Sequence, residues 1–101
     1  MKQYTDAPIT FTVTGVNMQQ ITEPHVTFMQ GDTVIDVTEL TILDASNFTL
    51  KLTQEQTALF MIGDVEIQLN FFDGNGDRQA SDISTVSAER NILKRLLTDG
   101  D

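Results

Sequence analysis

The dominant period along the chain is two. In Pro8-Ile9-Thr10-Phe11-Thr12-Val13-Thr14, apolar Ile9, Phe11 and Val13 alternate with polar threonines. Such alternation sets one face of a strand against a core and leaves the other in water. β-Branched residues fill both sets, which suits a pleated surface and disfavours helix. The rhythm returns at His25 to Gln30, with Val26 and Phe28 inward, and again at Thr33 to Thr38 beyond a Gly31-Asp32 turn. A short hairpin is predicted there. Its inward set stays open, because Ile35 and Val37 compete with Val34. Leu40, Ile42 and Leu43, between Glu39 and Asp44, either extend that strand or form the next.

Asn47 to Thr53 alternates cleanly, with Phe48, Leu50 and Leu52 inside. The strongest strand runs from Asp64 to Phe72, where Val65, Ile67, Leu69 and Phe71 oppose Glu66, Gln68 and Asn70. Asp73-Gly74-Asn75-Gly76-Asp77 then supplies Asp-Gly and Asn-Gly, the preferred tight-turn dipeptides, and a return strand is predicted over Asp82 to Ala88.

Two segments break the period. Thr53-Gln54-Glu55-Gln56 has the form of a capping box, which predicts a short helical turn near 54–60 that stops before Gly63. At the other end Ile92, Leu93, Leu96 and Leu97 lie at helical spacing among Arg90, Lys94 and Arg95, with Asn91 as a cap and Gly100 beyond. A helix of about ten residues is marginal alone, so this one is expected to dock on something. Together, strands punctuated at roughly ten-residue spacing predict an all-β fold. It is expected to be an antiparallel immunoglobulin-like β-sandwich with a short helical turn near 54–60 and a short C-terminal helix. The Cys…Trp…Cys hallmark of antibody domains is missing, since the chain has neither residue.

Composition narrows the function classes. The 101 residues suit one domain spanning 1–101, with a possible C-terminal docking segment at 90–101. Without cysteine there is no disulfide framework and no thiolate metal site. The longest apolar run, Ala58 to Ile62, falls far short of the roughly 20 residues of a membrane span, and Met1 to Asp6 has no signal-type hydrophobic region. Neither membrane insertion nor export is therefore expected. Six Lys and Arg stand against fifteen Asp and Glu, a formal charge of −9, which argues against a nucleic-acid partner.

Candidate chemistry is sparse. His25 is the one histidine, and any nucleophile–His–acid arrangement would have to use it, although a lone histidine at a strand edge is more often an ordinary surface residue. Asp73, Asn75 and Asp77 resemble the first half of an EF-hand loop, but Arg78 and Ser84 stand where that loop needs glycine and glutamate. A hairpin turn explains the same residues. Gly74-x-Gly76 has neither the helix nor the lysine of a nucleotide loop. Asp64 and Glu66 share a strand face, where solvation explains paired acids as well as glycosidase chemistry does. No catalytic residue, cofactor site or metal site is assigned.

The C-terminal segment stands apart. From Arg90 to Leu97 it holds three of the six basic residues and no acid, and the rest of the chain holds all fifteen acids. Arg90, Ile92, Leu93, Lys94, Arg95, Leu96 and Leu97 are the candidate partner-docking residues, the alternative being a closing helix packed on its own body. A cationic, leucine-rich end on an acidic body suits binding to a neighbouring copy. It is too short, and lacks the aromatic anchor, for a membrane surface.

The succession Leu52-Thr53-Gln54-Glu55-Gln56-Thr57, Gly63 to Leu69, Asp73-Gly74-Asn75-Gly76 and Ala80 to Val86 resembles small structural proteins of tailed bacteriophages that infect Gram-positive bacteria. In particular it is similar to the N-terminal β-sandwich domain of phage baseplate upper proteins. The likeness runs from Phe48 to Leu97. It implies a virion component, made in the host bacterial cytoplasm, that contacts other virion proteins or copies of itself within an assembled particle. It carries over no catalytic residue, and leaves tail, baseplate and head open as its place. A carbohydrate- or cell-surface-binding module is the alternative, with Tyr4 and Phe72 the aromatic residues off the main alternation.

Overall fold

The alternating runs fold into antiparallel sheets that share one apolar core. A computed structural model describes residues 1–98, and gives β1 (Ala7–Thr12), β2 (Thr22–Gln30), β3 (Thr33–Val37), β4 (Thr41–Ile42), β5 (Asn47–Leu52), α1 (Gln54–Thr57), β6 (Gly63–Phe72), β7 (Arg78–Ala80) and β8 (Ser84–Ala88). One sheet has the order β1-β5-β4, with Ile9 opposite Leu50 and Phe11 opposite Phe48. The other runs β3-β2-β6, and both β7 and β8 line the far edge of β6. Glu66 on β6 accordingly has Met29 on one side and Thr85 on the other.

The inward residues are the ones the period selects. Phe48, Leu50 and Leu52 of β5, Val26 and Phe28 of β2, and Val65, Ile67, Leu69 and Phe71 of β6 are all buried. On β3 the structure decides for Ile35, which is buried, with Val37 packed beside it, while Val34 is 58% exposed. β1 lies at a sheet edge, so Ile9 and Phe11, with Val13 just beyond it, are only partly covered. Phe11 joins the layers, stacking on Phe48 at 4.9 Å and meeting Phe28 of the other sheet edge-on at 6.4 Å. Such pairs add about 0.5–1.5 kcal/mol to the area they bury. Met18 and Phe60 complete the core from irregular segments, where no period announces them.

Three local outcomes differ from or refine the sequence reading. The return strand is two pieces. Asn70 faces Ala80 and Ile67 faces Ser84, so the returning chain carries one more residue than β6 over that stretch, a β-bulge. Ser81 bridges it, donating its amide to Leu69 O at 2.8 Å and accepting the Leu69 amide on its hydroxyl at 3.0 Å. The capping box forms as expected, with Thr53 Oγ1 accepting from the Gln56 amide and Gln56 Oε1 from the Thr53 amide, and opens a helix of 4 residues.

The predicted C-terminal helix is corrected: residues 91–98 run as bends without helical structure. Leu97 N donates to Gln54 Oε1 at 2.8 Å rather than to a carbonyl four residues back, and Leu97 O accepts from Gln54 Nε2. Asn91 spends its side chain on Gln3 O and on the Leu93 amide. A short helix yields readily to such tertiary hydrogen bonds. The residues expected to end it, Gly100 included, lie outside the described residues.

Thr57 of α1 is the one buried polar residue among those described. Its hydroxyl accepts the Thr5 amide at 3.0 Å and donates to Thr5 O at 2.8 Å, tying α1 to the start of the chain. Thr57→Val keeps the volume and strands both Thr5 groups, so it is expected to lower the unfolding free energy by about 1–3 kcal/mol in urea denaturation. Phe48→Ala, which opens a cavity between the sheets, is expected to cost more, about 3–5 kcal/mol.

Candidate functional site

The C-terminal segment, the chain start and the loop between α1 and β6 converge on one pole. Lys2 and Glu89 form a parallel bridge, and Gln3 N donates to Glu89 O at 2.9 Å. Gln3 reaches both neighbours: its side-chain amide donates to Phe60 O, and its carbonyl accepts from Asn91 Nδ2 at 3.0 Å. Gln54 clasps Leu97 through both backbone groups. Gln30 at the end of β2 clasps Met61 in the same manner, accepting its amide at 2.7 Å and donating to its carbonyl at 2.8 Å.

This frame holds apolar side chains outward. Ile92 is 86% exposed, Met61 76%, Ile62 62% and Leu59 60%, and Leu93, Leu96 and Leu97 are also exposed. Arg90, Lys94 and Arg95 stand among them, all exposed. The structure thus places the candidate docking residues that the sequence singles out on an irregular strap rather than a helical stripe. It adds Leu59, Met61 and Ile62, whose signal in the sequence is the longest apolar run, Ala58 to Ile62. Exposed apolar surface, where it is contiguous, marks interaction sites.

His25 sits elsewhere, on the outer face of β2. A bulge places Glu23 and Pro24 opposite Phe71, with Glu23 at φ 51°, and returns His25 to register opposite Asn70. His25 Nδ1 lies 2.7 Å from Asp36 Oδ2, and Thr27 Oγ1 donates to Asp36 Oδ1 at 3.4 Å. The pair lines a shallow groove of about 280 Å³ with Glu23, Asn70, Phe72 and Arg78. Both partners are about half exposed, 47% and 46%. Among the described residues Asp36 is the one side chain hydrogen-bonded to His25, so the hydroxyl nucleophile that a triad requires is not engaged. An open pair of this kind contributes about 0–1 kcal/mol. Phe72 borders the groove and is partly exposed, whereas Tyr4 is half-buried with φ 59°.

The aspartates of the turns are occupied by the turns themselves. Asp73 Oδ1 accepts the amides of Asn75 and Asp77 at 2.9 and 3.0 Å, and Gly76 supplies the positive φ, 82°, that the turn requires. Asp44 Oδ1 likewise accepts the amides of Ser46 and Asn47. Among the described residues no three histidine or acidic side chains gather as a metal site. Amide donation by Asp77 and Asn75 holds the Asp73 carboxyl below the usual carboxylate range, and the Asn47 side chain with the Ser46 amide does so for Asp44. Lys2, hydrogen-bonded and opposite in charge, lowers Glu89. Asp64 and Glu66 lie exposed on the outer face of β6, two positions apart.

No protein-family model matches the chain, and no curated protein matches it at a significant level.

Two outcomes follow from this geometry. Because the folded-state pKa values of Asp44, Asp73 and Glu89 are depressed, their stabilisation is present above the ordinary carboxylate pKa and lost as pH falls through the lowered values. Thermal midpoints are expected to drop below about pH 4, and Asp73→Ala should remove part of that acid dependence in a pH series of melts. His25→Ala, by contrast, should shift unfolding in urea by less than about 1 kcal/mol.

Proposed function

We propose that this chain is a structural protein of a bacteriophage virion, an immunoglobulin-like β-sandwich that serves as a protein–protein interaction module in the tail, baseplate or head. The observation that carries the docking role is the pole: Leu59, Met61, Ile62, Ile92, Leu93, Leu96 and Leu97 are held outward by hydrogen bonds to their backbones or to residues beside them. The core of buried apolar residues is formed without them. The phage assignment is supported by the resemblance of the segments between Phe48 and Leu97 to baseplate upper proteins. The two antiparallel sheets, with a facing aromatic contact, support the sandwich.

In this reading the chain binds other virion proteins or copies of itself and performs no reaction of its own. Its charge of −9 opposes the approach of copies at low salt, and the cationic strap supplies local attraction to acidic partner surfaces. The expected location is the assembled particle, after synthesis in the host cytoplasm.

Purified particles examined by protein mass spectrometry should contain the chain in stoichiometric amount, and Ile92→Asp with Leu96→Asp should abolish its incorporation while leaving its melting curve intact. Absence of the wild-type chain from particles overturns the virion assignment. Normal incorporation of the double variant overturns the pole as the docking surface.

A further inference from the structure

We propose that Asn75 is a site of spontaneous covalent modification, converted through a succinimide into aspartate and isoaspartate in the folded chain. The site is independent of the docking role proposed above. Asn75 and Gly76 stand exposed in the turn between β6 and β7. The chain has five asparagines, and the other four differ from Asn75 in two respects. Each is followed by a bulky residue, Met18, Phe48, Phe71 or Ile92, whose side chain crowds its own backbone nitrogen. Each also has its side chain tied. Asn17 accepts the Gln19 amide, Asn47 donates to Asp44, Asn70 accepts from Arg78, and Asn91 donates to Gln3 O. Among the described residues Asn75 is the one asparagine whose side chain makes no hydrogen bond, since only its backbone amide is engaged, on Asp73. Glycine follows it, and no atom beyond the chain neighbours lies within 4 Å of where a Gly76 Cβ would stand, so water reaches the dipeptide freely.

The co-reactant is water. Hydroxide removes the Gly76 amide proton, and the nitrogen attacks Asn75 Cγ, forming an N–Cγ bond that closes a five-membered ring. The Cγ–Nδ2 bond breaks, and ammonia leaves with a proton taken from water. Water then opens the succinimide at either carbonyl. Breaking the new N–Cγ bond gives aspartate, while breaking the original peptide bond gives isoaspartate, with the chain continuing through Cγ. One water is consumed, one ammonia is released, and nothing is oxidised or reduced. Gly76 N donates to Asp73 O at 3.0 Å, a bond at the exposed tip of a turn, where local opening takes little free energy. The adjacent Asp73-Gly74 pair is held against the same reaction, because Asp73 Oδ1 accepts the Asn75 and Asp77 amides and a carboxylate is a poor electrophile. Modification adds one negative charge between Asp73 and Asp77 to a chain already at −9. The isoaspartate form also lengthens the backbone by one atom in the turn that sets Phe72 opposite Arg78.

Peptide mapping by mass spectrometry tests this, on the folded wild type held in neutral buffer and sampled over time. Asn75 should lose its amide at least roughly tenfold faster than Asn17, Asn47, Asn70 or Asn91, a difference of about 1.4 kcal/mol in barrier. Isoaspartate should be among the products, heavy oxygen from labelled water should enter them, and the rate should rise with pH because the deprotonated nitrogen is the nucleophile. Asn75→Gln, which would have to close a six-membered ring, should form none of the acidic species that anion exchange separates from aged wild type. Amide lost first at another asparagine, acidic species formed equally by the Asn75→Gln variant, or aspartate without isoaspartate overturns the inference. So does an Asn75 amide that persists in the folded chain while the urea-unfolded chain loses it, since the turn then protects the site.

Discussion

Phe11 ties the two sheets together, stacked on Phe48 of its own sheet and edge-on to Phe28 of the other. Without cysteine, the sheets can be held together only by the apolar faces they bury, and these rings are where side chains from both meet. The molecule is thin, 47 × 30 × 17 Å, with a radius of gyration of 14.7 Å against roughly 13 Å for a rounded chain of this length. A thin body has long edges. Half of β5 lacks a neighbour on one side, and a cleft of about 400 Å³ opens between β1 and the bulge at Ser81.

Side-chain amides finish what the sheets leave incomplete. Gln54 on Leu97, Gln30 on Met61 and Gln3 on Phe60 each replace a backbone hydrogen bond that a further strand would have made. The buried Thr57 hydroxyl does the same for Thr5. The backbone groups of Met61 and Leu97 are paired in this way, while the side chains of Met61, Ile62 and Ile92 stand in solvent.

How much of this could be read from the residues depends on the range of the interaction. β5 and β6 were legible because their partners impose a period of two on Phe48 to Leu52 and Val65 to Phe71. The cap on α1 was legible because Thr53 and Gln56 are three positions apart. The C-terminal helix was misread because the spacing of Ile92, Leu93, Leu96 and Leu97 is a local signal, and Gln54, which takes the Leu97 backbone, lies 43 positions away. Met18 and Phe60 are buried from irregular segments, and a solitary apolar residue has no period to betray it. The docking residues were nameable from the excess of base at 90–97, whereas their gathering with Leu59, Met61 and Ile62 required Gln3 to join two segments far apart in sequence.

In the proposed function the pole, and not the His25 groove, is where this chain meets another molecule. Amide hydrogen exchange tests it most directly, comparing the chain free and dilute with the chain in its assembled state. Slowed exchange is expected at residues 59–62 and 91–97 on assembly, with the amides around His25 unchanged. Protection confined to the His25 face, with the pole exchanging at the same rate in both states, would contradict it.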